Sequence, residues 1–166
     1  VEQAIGHAHQ QVGHGFAGAA AVQVLPSTYW KLTEAEILAY YREVCQAVSI
    51  PVMVYNNPFT TGIDLPVPFL ASLAELPNVT MIKESSPDPT KIARLRAACP
   101  DRTAVYIGLN CMARTGFADG AAGWCTASPN VSPQFALNLY RCAVAGDTAG
   151  ADDWFGRQID LLNFLM

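Results

Sequence analysis

Five short apolar runs, separated by helix-forming stretches, limit what this chain can fold into. They are Ala19–Leu25 (AAAVQVL), Pro51–Tyr55 (PVMVY), Val79–Lys83 (VTMIK), Ala104–Gly108 (AVYIG) and Ala121–Thr126 (AAGWCT). None alternates apolar with polar residues. Near-continuous apolar runs of this length are the pattern of parallel strands covered on both faces. The intervening segments carry helix punctuation. Thr33 followed by Glu36 has the spacing of a capping box, predicting a helix to about Val48. Proline stands in the first turn of a helix predicted over Pro66–Leu76, where its missing N–H is harmless. Asp88-Pro89 opens another to about Cys99, and Ser132-Pro133 opens one ending near Gly146. Strand and helix in alternation build right-handed βαβ units.

Two architectures use such units, a doubly wound sheet and a (β/α)8 barrel. No Gly-x-Gly-x-x-Gly follows a strand, so the dinucleotide-binding version lacks its fingerprint. A complete barrel takes about 250 residues. At 166 residues the chain has room for only a portion of one, and the pattern itself leaves both architectures open. With 51% hydrophobic and 14% charged residues, they suffice for one domain, 1–166, with a sizeable core. The chain begins at Val1 and both ends fall in helix-like text, so it is expected to be part of a longer gene product.

Charge and cysteine usage narrow the function classes. A net charge of −4 and a pI near 5.2 provide no basic footprint for nucleic acid or anionic membranes, which leaves small molecules as the expected partners. No apolar run approaches the roughly 18 residues that span a bilayer, and no signal-peptide pattern is present. Five cysteines, widely spaced and without a Cys-x-x-Cys pair, fit a reduced cytoplasmic setting. His7, His9 and His14 do not share one helix face and read as solvated rather than as metal ligands. Asp152-Asp153 are expected in the first turn of the last helix.

In both architectures ligands bind at the carboxyl ends of the strands. Tyr29 follows the first run, Tyr55 ends the second and Lys83 ends the third. Taken singly, a lysine is mostly a solvent-facing residue and a strand-end tyrosine mostly a packing residue. Together they offer chemistry. A lysine walled by apolar side chains can present a neutral amine, because burial penalises the charged form. Such an amine attacks ketones, and the resulting imine acts as an electron sink for a neighbouring carbanion. A phenol beside it can carry the protons that making and breaking the imine requires.

Four ordered segments then resemble a known family. Tyr55-Asn56-Asn57-Pro58 with Thr61-Gly62, Lys83-Glu84-Ser85-Ser86, Gly108, and Gly120 through Asn130 are similar to the dihydrodipicolinate synthase / N-acetylneuraminate lyase family of class I aldolases. The resemblance implies a partial (β/α)8 TIM barrel, with the five runs as strands four to eight. It implies that Lys83 forms a Schiff base with pyruvate or a related 2-oxo acid, with no cofactor beyond that covalent imine and no metal. It gives Tyr55 the role of proton relay and Tyr29 that of a residue reaching a neighbouring subunit's relay in a homo-oligomer, dimer or tetramer. Gly108, Cys125, Thr60 and Asn110 are implied to line the substrate pocket.

Departures from the family pattern shape the expectation. Thr60 stands where dihydrodipicolinate synthases carry an arginine, and Leu109-Asn110 replace an Asp-Asp pair. The Gly-x-Thr-Thr-Gly-Glu loop has no counterpart in these residues. The expected function is a Schiff-base-forming lyase or aldolase that makes or breaks a C–C bond or dehydrates a sugar acid. The alternatives are 4-hydroxy-tetrahydrodipicolinate synthase proper and a catalytically inert partial barrel.

Overall fold

A computed structural model describes residues 18–26 and 30–165. Tyr29, His7, His9 and His14 lie outside the described residues. Among the described residues five strands form one sheet: β1 (Val22–Val24), β2 (Val52–Asn56), β3 (Val79–Glu84), β4 (Ala104–Ile107) and β5 (Gly123–Trp124). All adjacent pairs are parallel, and the spatial order β1-β2-β3-β4-β5 is the order in sequence. A doubly wound sheet reverses its strand order at a switch point; this one never reverses, which makes it an arc of a (β/α) barrel.

The helices form where the punctuation placed them, with instructive shifts. Helix α1 (Glu34–Ala47) starts on the capping box: Thr33 N donates to Glu36 Oε2 at 2.8 Å, and Glu36 N donates to Thr33 Oγ1 at 3.3 Å. A short helix α2 (Pro58–Thr61) follows β2 and ends on Gly62, whose φ of 69° is left-handed and suits glycine. Helix α3 (Val67–Ala74) lies within the predicted span. Helix α4 (Lys91–Ala98) begins later than Asp88-Pro89 suggested, because the Asp88 carboxylate accepts from Thr90 N and Thr90 Oγ1 and holds those residues in a turn.

Between β4 and β5 the chain makes a 3-10 turn (Asn110–Met112) and helix α5 (Ala113–Ala118). Gly116 lets that helix sit on the sheet: a Cβ there would lie 2.5 Å from Ile107 Cγ1. The two outer strands are shorter than their apolar runs. β5 nonetheless extends its pairing at both ends through Ala122 N to Val105 O and Cys125 N to Ile107 O. Helix α6 (Pro133–Val144) matches its prediction and is followed by α7 (Thr148–Gly156) and α8 (Ile159–Phe164). Asp152 and Asp153 sit in the second turn of α7, not the first. The cap is Asp147, and the pair instead bonds to Arg114 and to Arg157.

The register divides the sheet into two faces. Val52, Val54, Ile82, Val105 and Ile107 share one face and are fully buried under the helices with Ile37, Tyr41, Leu70, Leu73 and Leu95. The opposite face carries Gln23, Met53, Tyr55, Met81, Lys83 and Tyr106, mostly half-buried among the described residues. Lys83 therefore points away from the helix layer, which removes the difficulty of a charge inside the core.

Candidate active site

Tyr55 and Lys83 are register partners on β2 and β3, on the inner face at the carboxyl ends of their strands. The Lys83 Nζ lies 3.9 Å from the centroid of the Tyr55 ring, a cation–π distance. A cavity of about 660 Å³ opens there, lined among others by Tyr55, Thr60, Lys83, Gly108, Asn110 and Cys125. The described residues named from the sequence thus share one cavity, and the phenol and amine are in contact.

The lysine stem is set by what is missing beside it. A Cβ on Gly108 would fall 2.0 Å from Ser85 Oγ and 3.0 Å from both Lys83 Cε and Cγ. Only glycine leaves room for that side chain. Ser85 is buried, lines the same cavity, and its Oγ has no hydrogen-bond partner among the described residues. Asn57 Nδ2 donates to Tyr55 Oη at 3.0 Å and to Thr60 Oγ1 at 2.9 Å. On the far wall Thr126 Oγ1 donates to Asn110 Oδ1 at 2.5 Å. Burial pushes the Cys125 thiol up from its ordinary range, against the opposing charge of Lys83. Its backbone N–H is committed to the sheet. A raised thiol pKa makes Cys125 a poor nucleophile, in keeping with a lining role.

Behind the cavity, side chains that neighbour Tyr55 and Lys83 in sequence build a buried anchor. Asn56 and Glu84 are register partners on the helix-covered face, 1% and 4% exposed. Asn56 Nδ2 donates to Glu84 Oε2 at 2.9 Å and to Asp64 Oδ1 at 2.9 Å, while Asn56 Oδ1 accepts from Leu65 N at 3.0 Å. Lys91, on α4 and also buried, pairs with Asp64 and lies 3.5 Å from Glu84 Oε2. The network ties β2, β3, the loop after α2 and α4 together directly beneath Tyr55 and Lys83. Sequence reasoning missed it, because Lys91 and Asp64 carry no motif. The polar residue that follows each of Tyr55 and Lys83 was the available signal. Among the described residues no group of three or more His, Cys, Asp or Glu side chains is arranged to hold a metal ion.

The whole chain, residues 1–166, matches the Dihydrodipicolinate synthetase family. The chain belongs to that family. It is 33% identical over 135 residues to 4-hydroxy-tetrahydrodipicolinate synthase of Methylococcus capsulatus, covering 81% of this chain and 46% of that protein. It is 36% identical over 131 residues to N-acetylneuraminate lyase of Rhizobium meliloti, covering 78% and 43%. The structure of the chloride-inhibited dihydrodipicolinate synthase of Acinetobacter baumannii, complexed with pyruvate, superposes with a TM-score of 0.85 at 30% identity, covering 89% of this chain and 51% of that one. This family member spans about half the length of the relatives it matches. No helix among its described residues is long and apolar enough to cross a membrane.

Proposed function

We propose that this chain carries the imine-forming half of a lyase active site, with Lys83 as the nucleophile toward pyruvate or a related 2-oxo acid. The observation that carries the reading is the Lys83 ammonium position 3.9 Å over the Tyr55 ring, at the mouth of the strand-end cavity of a chain in this family. In its neutral form the amine adds to the ketone carbon, the carbinolamine expels water, and a protonated imine forms. Removal of a proton from the adjacent carbon gives the enamine, which attacks an aldehyde; the reverse sequence cleaves the bond. Tyr55 delivers and recovers the protons of the carbinolamine. Gly108, Cys125, Thr60 and Asn110 shape the binding surface, and Tyr29 serves the proton relay of a neighbouring subunit. No cofactor enters this scheme beyond the covalent imine.

We read residues 1–166 as a single domain, the C-terminal portion of a (β/α)8 barrel that works as a homo-oligomer in the cytoplasm. Synthase activity proper is the second reading, favoured by the Methylococcus relative. Thr60, in place of an arginine suited to a second carboxylate, weighs against it. Intact mass after incubation with pyruvate and borohydride tests the assignment: a reduced adduct is expected on the parent and none on Lys83→Ala. A folded parent without adduct would leave an inert partial barrel as the better description.

A further inference from the structure

Asn57 occupies the N-cap of α2, where an asparagine ordinarily turns its side-chain oxygen onto the N–H groups of the first turn. Here the side chain makes no capping bond. The turn is closed without it, since the Asn57 carbonyl accepts from Thr60 N at 3.1 Å, Thr61 N at 3.0 Å and Thr61 Oγ1 at 3.0 Å. The amide is turned instead to the cavity wall, where its two N–H bonds reach Tyr55 Oη and Thr60 Oγ1. A residue type suited to one task performs another, and the atom it serves is the hydroxyl oxygen of the phenol whose ring lies against the Lys83 Nζ.

We propose that Asn57 is the positioning residue for proton transfer by Tyr55. The proposal rests on the imine reading of Lys83 above. A phenol oxygen that accepts from Asn57 keeps its own O–H free, and the fixed acceptor direction aims that proton away from the amide, toward the cavity. An N–H aimed at the oxygen is a stronger partner once the oxygen is anionic. The contact therefore matters most when Tyr55 has given up its proton and is about to recover one. Thr60, held by the second N–H, also keeps its hydroxyl proton available to a bound ligand.

Asn57→Asp separates this role from a structural one. Aspartate is isosteric and caps helices as well as asparagine does, but it offers the phenol an acceptor instead of a donor. In the protein as its gene encodes it, three readouts suffice for the parent, Asn57→Asp and Asn57→Ala. These are the borohydride-trapped pyruvate adduct, the rate at which pyruvate methyl protons exchange for deuterium, and the thermal midpoint. We expect both variants to trap pyruvate at saturation and to lose about tenfold or more in exchange, the scale of one hydrogen bond to a charged group. The Asp variant is expected to keep the parent midpoint. Parent-like exchange in Asn57→Asp would overturn the proposal, showing that the residue only caps or presents its oxygen. Loss of the fold in both variants would overturn it too, making Asn57 structural. A parent that traps no pyruvate would remove the Lys83 reading itself, and this inference with it.

Discussion

At Gly108 the backbone passes close enough to Lys83 that the absence of one carbon determines where the amine sits. Gly108→Ala would place a Cβ 2.0 Å from Ser85 Oγ and 3.0 Å from the lysine stem, displacing both. Overpacking of this kind costs about 1–3 kcal/mol. We expect a lowered thermal midpoint and, at matched folded fraction, borohydride trapping slowed by at least tenfold; trapping at the parent rate would show that the stem has slack. That Gly108, Lys83 and Tyr55 line one cavity was legible in the sequence because each is part of an ordered motif, and Thr60 was legible as a departure from one. Asn57 was legible as a letter of the motif but not as a hydrogen-bond donor to Tyr55. Its backbone position predicts a cap, but the side chain turns the other way, to the Tyr55 hydroxyl. Ser85 was hidden for a similar reason, since a buried hydroxyl without a partner cannot be told from an exposed one by spacing.

At the scale of elements, the pairing of β2 with β3 is set by what lies on the face away from the cavity. Lys91 on α4 reaches Glu84 and Asp64, and Asn56 bridges the same two carboxylates. Lys91→Met would keep most of the apolar stem and leave the buried Glu84 carboxylate without its cation. Breaking a buried pair from one side costs roughly 3–5 kcal/mol. Chemical denaturation should report a loss of that order; a change below about 1 kcal/mol, the ceiling for most exposed pairs, would make the network ornamental. The apolar runs foretold that strands exist and which way they run, but not where they stop. β1 and β5 are shorter than their apolar runs, and among the described residues each pairs with one neighbouring strand. Asp152-Asp153 looked like a first-turn acidic pair because the sequence does not display that Asp147 already caps the helix by accepting from Gly150 N.

Across the whole molecule, the sheet has two borders. β1 pairs only with β2, and β5 only with β4, among the described residues. Unpaired strand edges are templates for association. Made alone, this chain of 166 residues is therefore expected to self-associate in light scattering, and a monodisperse monomer would show that something covers the borders. The alternation of strand and helix was readable from the apolar runs and the barrel from the family resemblance, whereas pairing at the borders carries no signal in the runs themselves. The alternation along β3 also limits how the gene can change. Lys83 and Glu84 are neighbours that serve opposite sides of the same sheet. Deleting one residue within Val79–Ile82 would turn the carboxylate into the cavity and drive the ammonium under the helices, losing the Lys83–Tyr55 contact and the packing in a single event. Side chains here can be exchanged one at a time, but the count of residues along the strand cannot drift, so changes in chain length are confined to the loops.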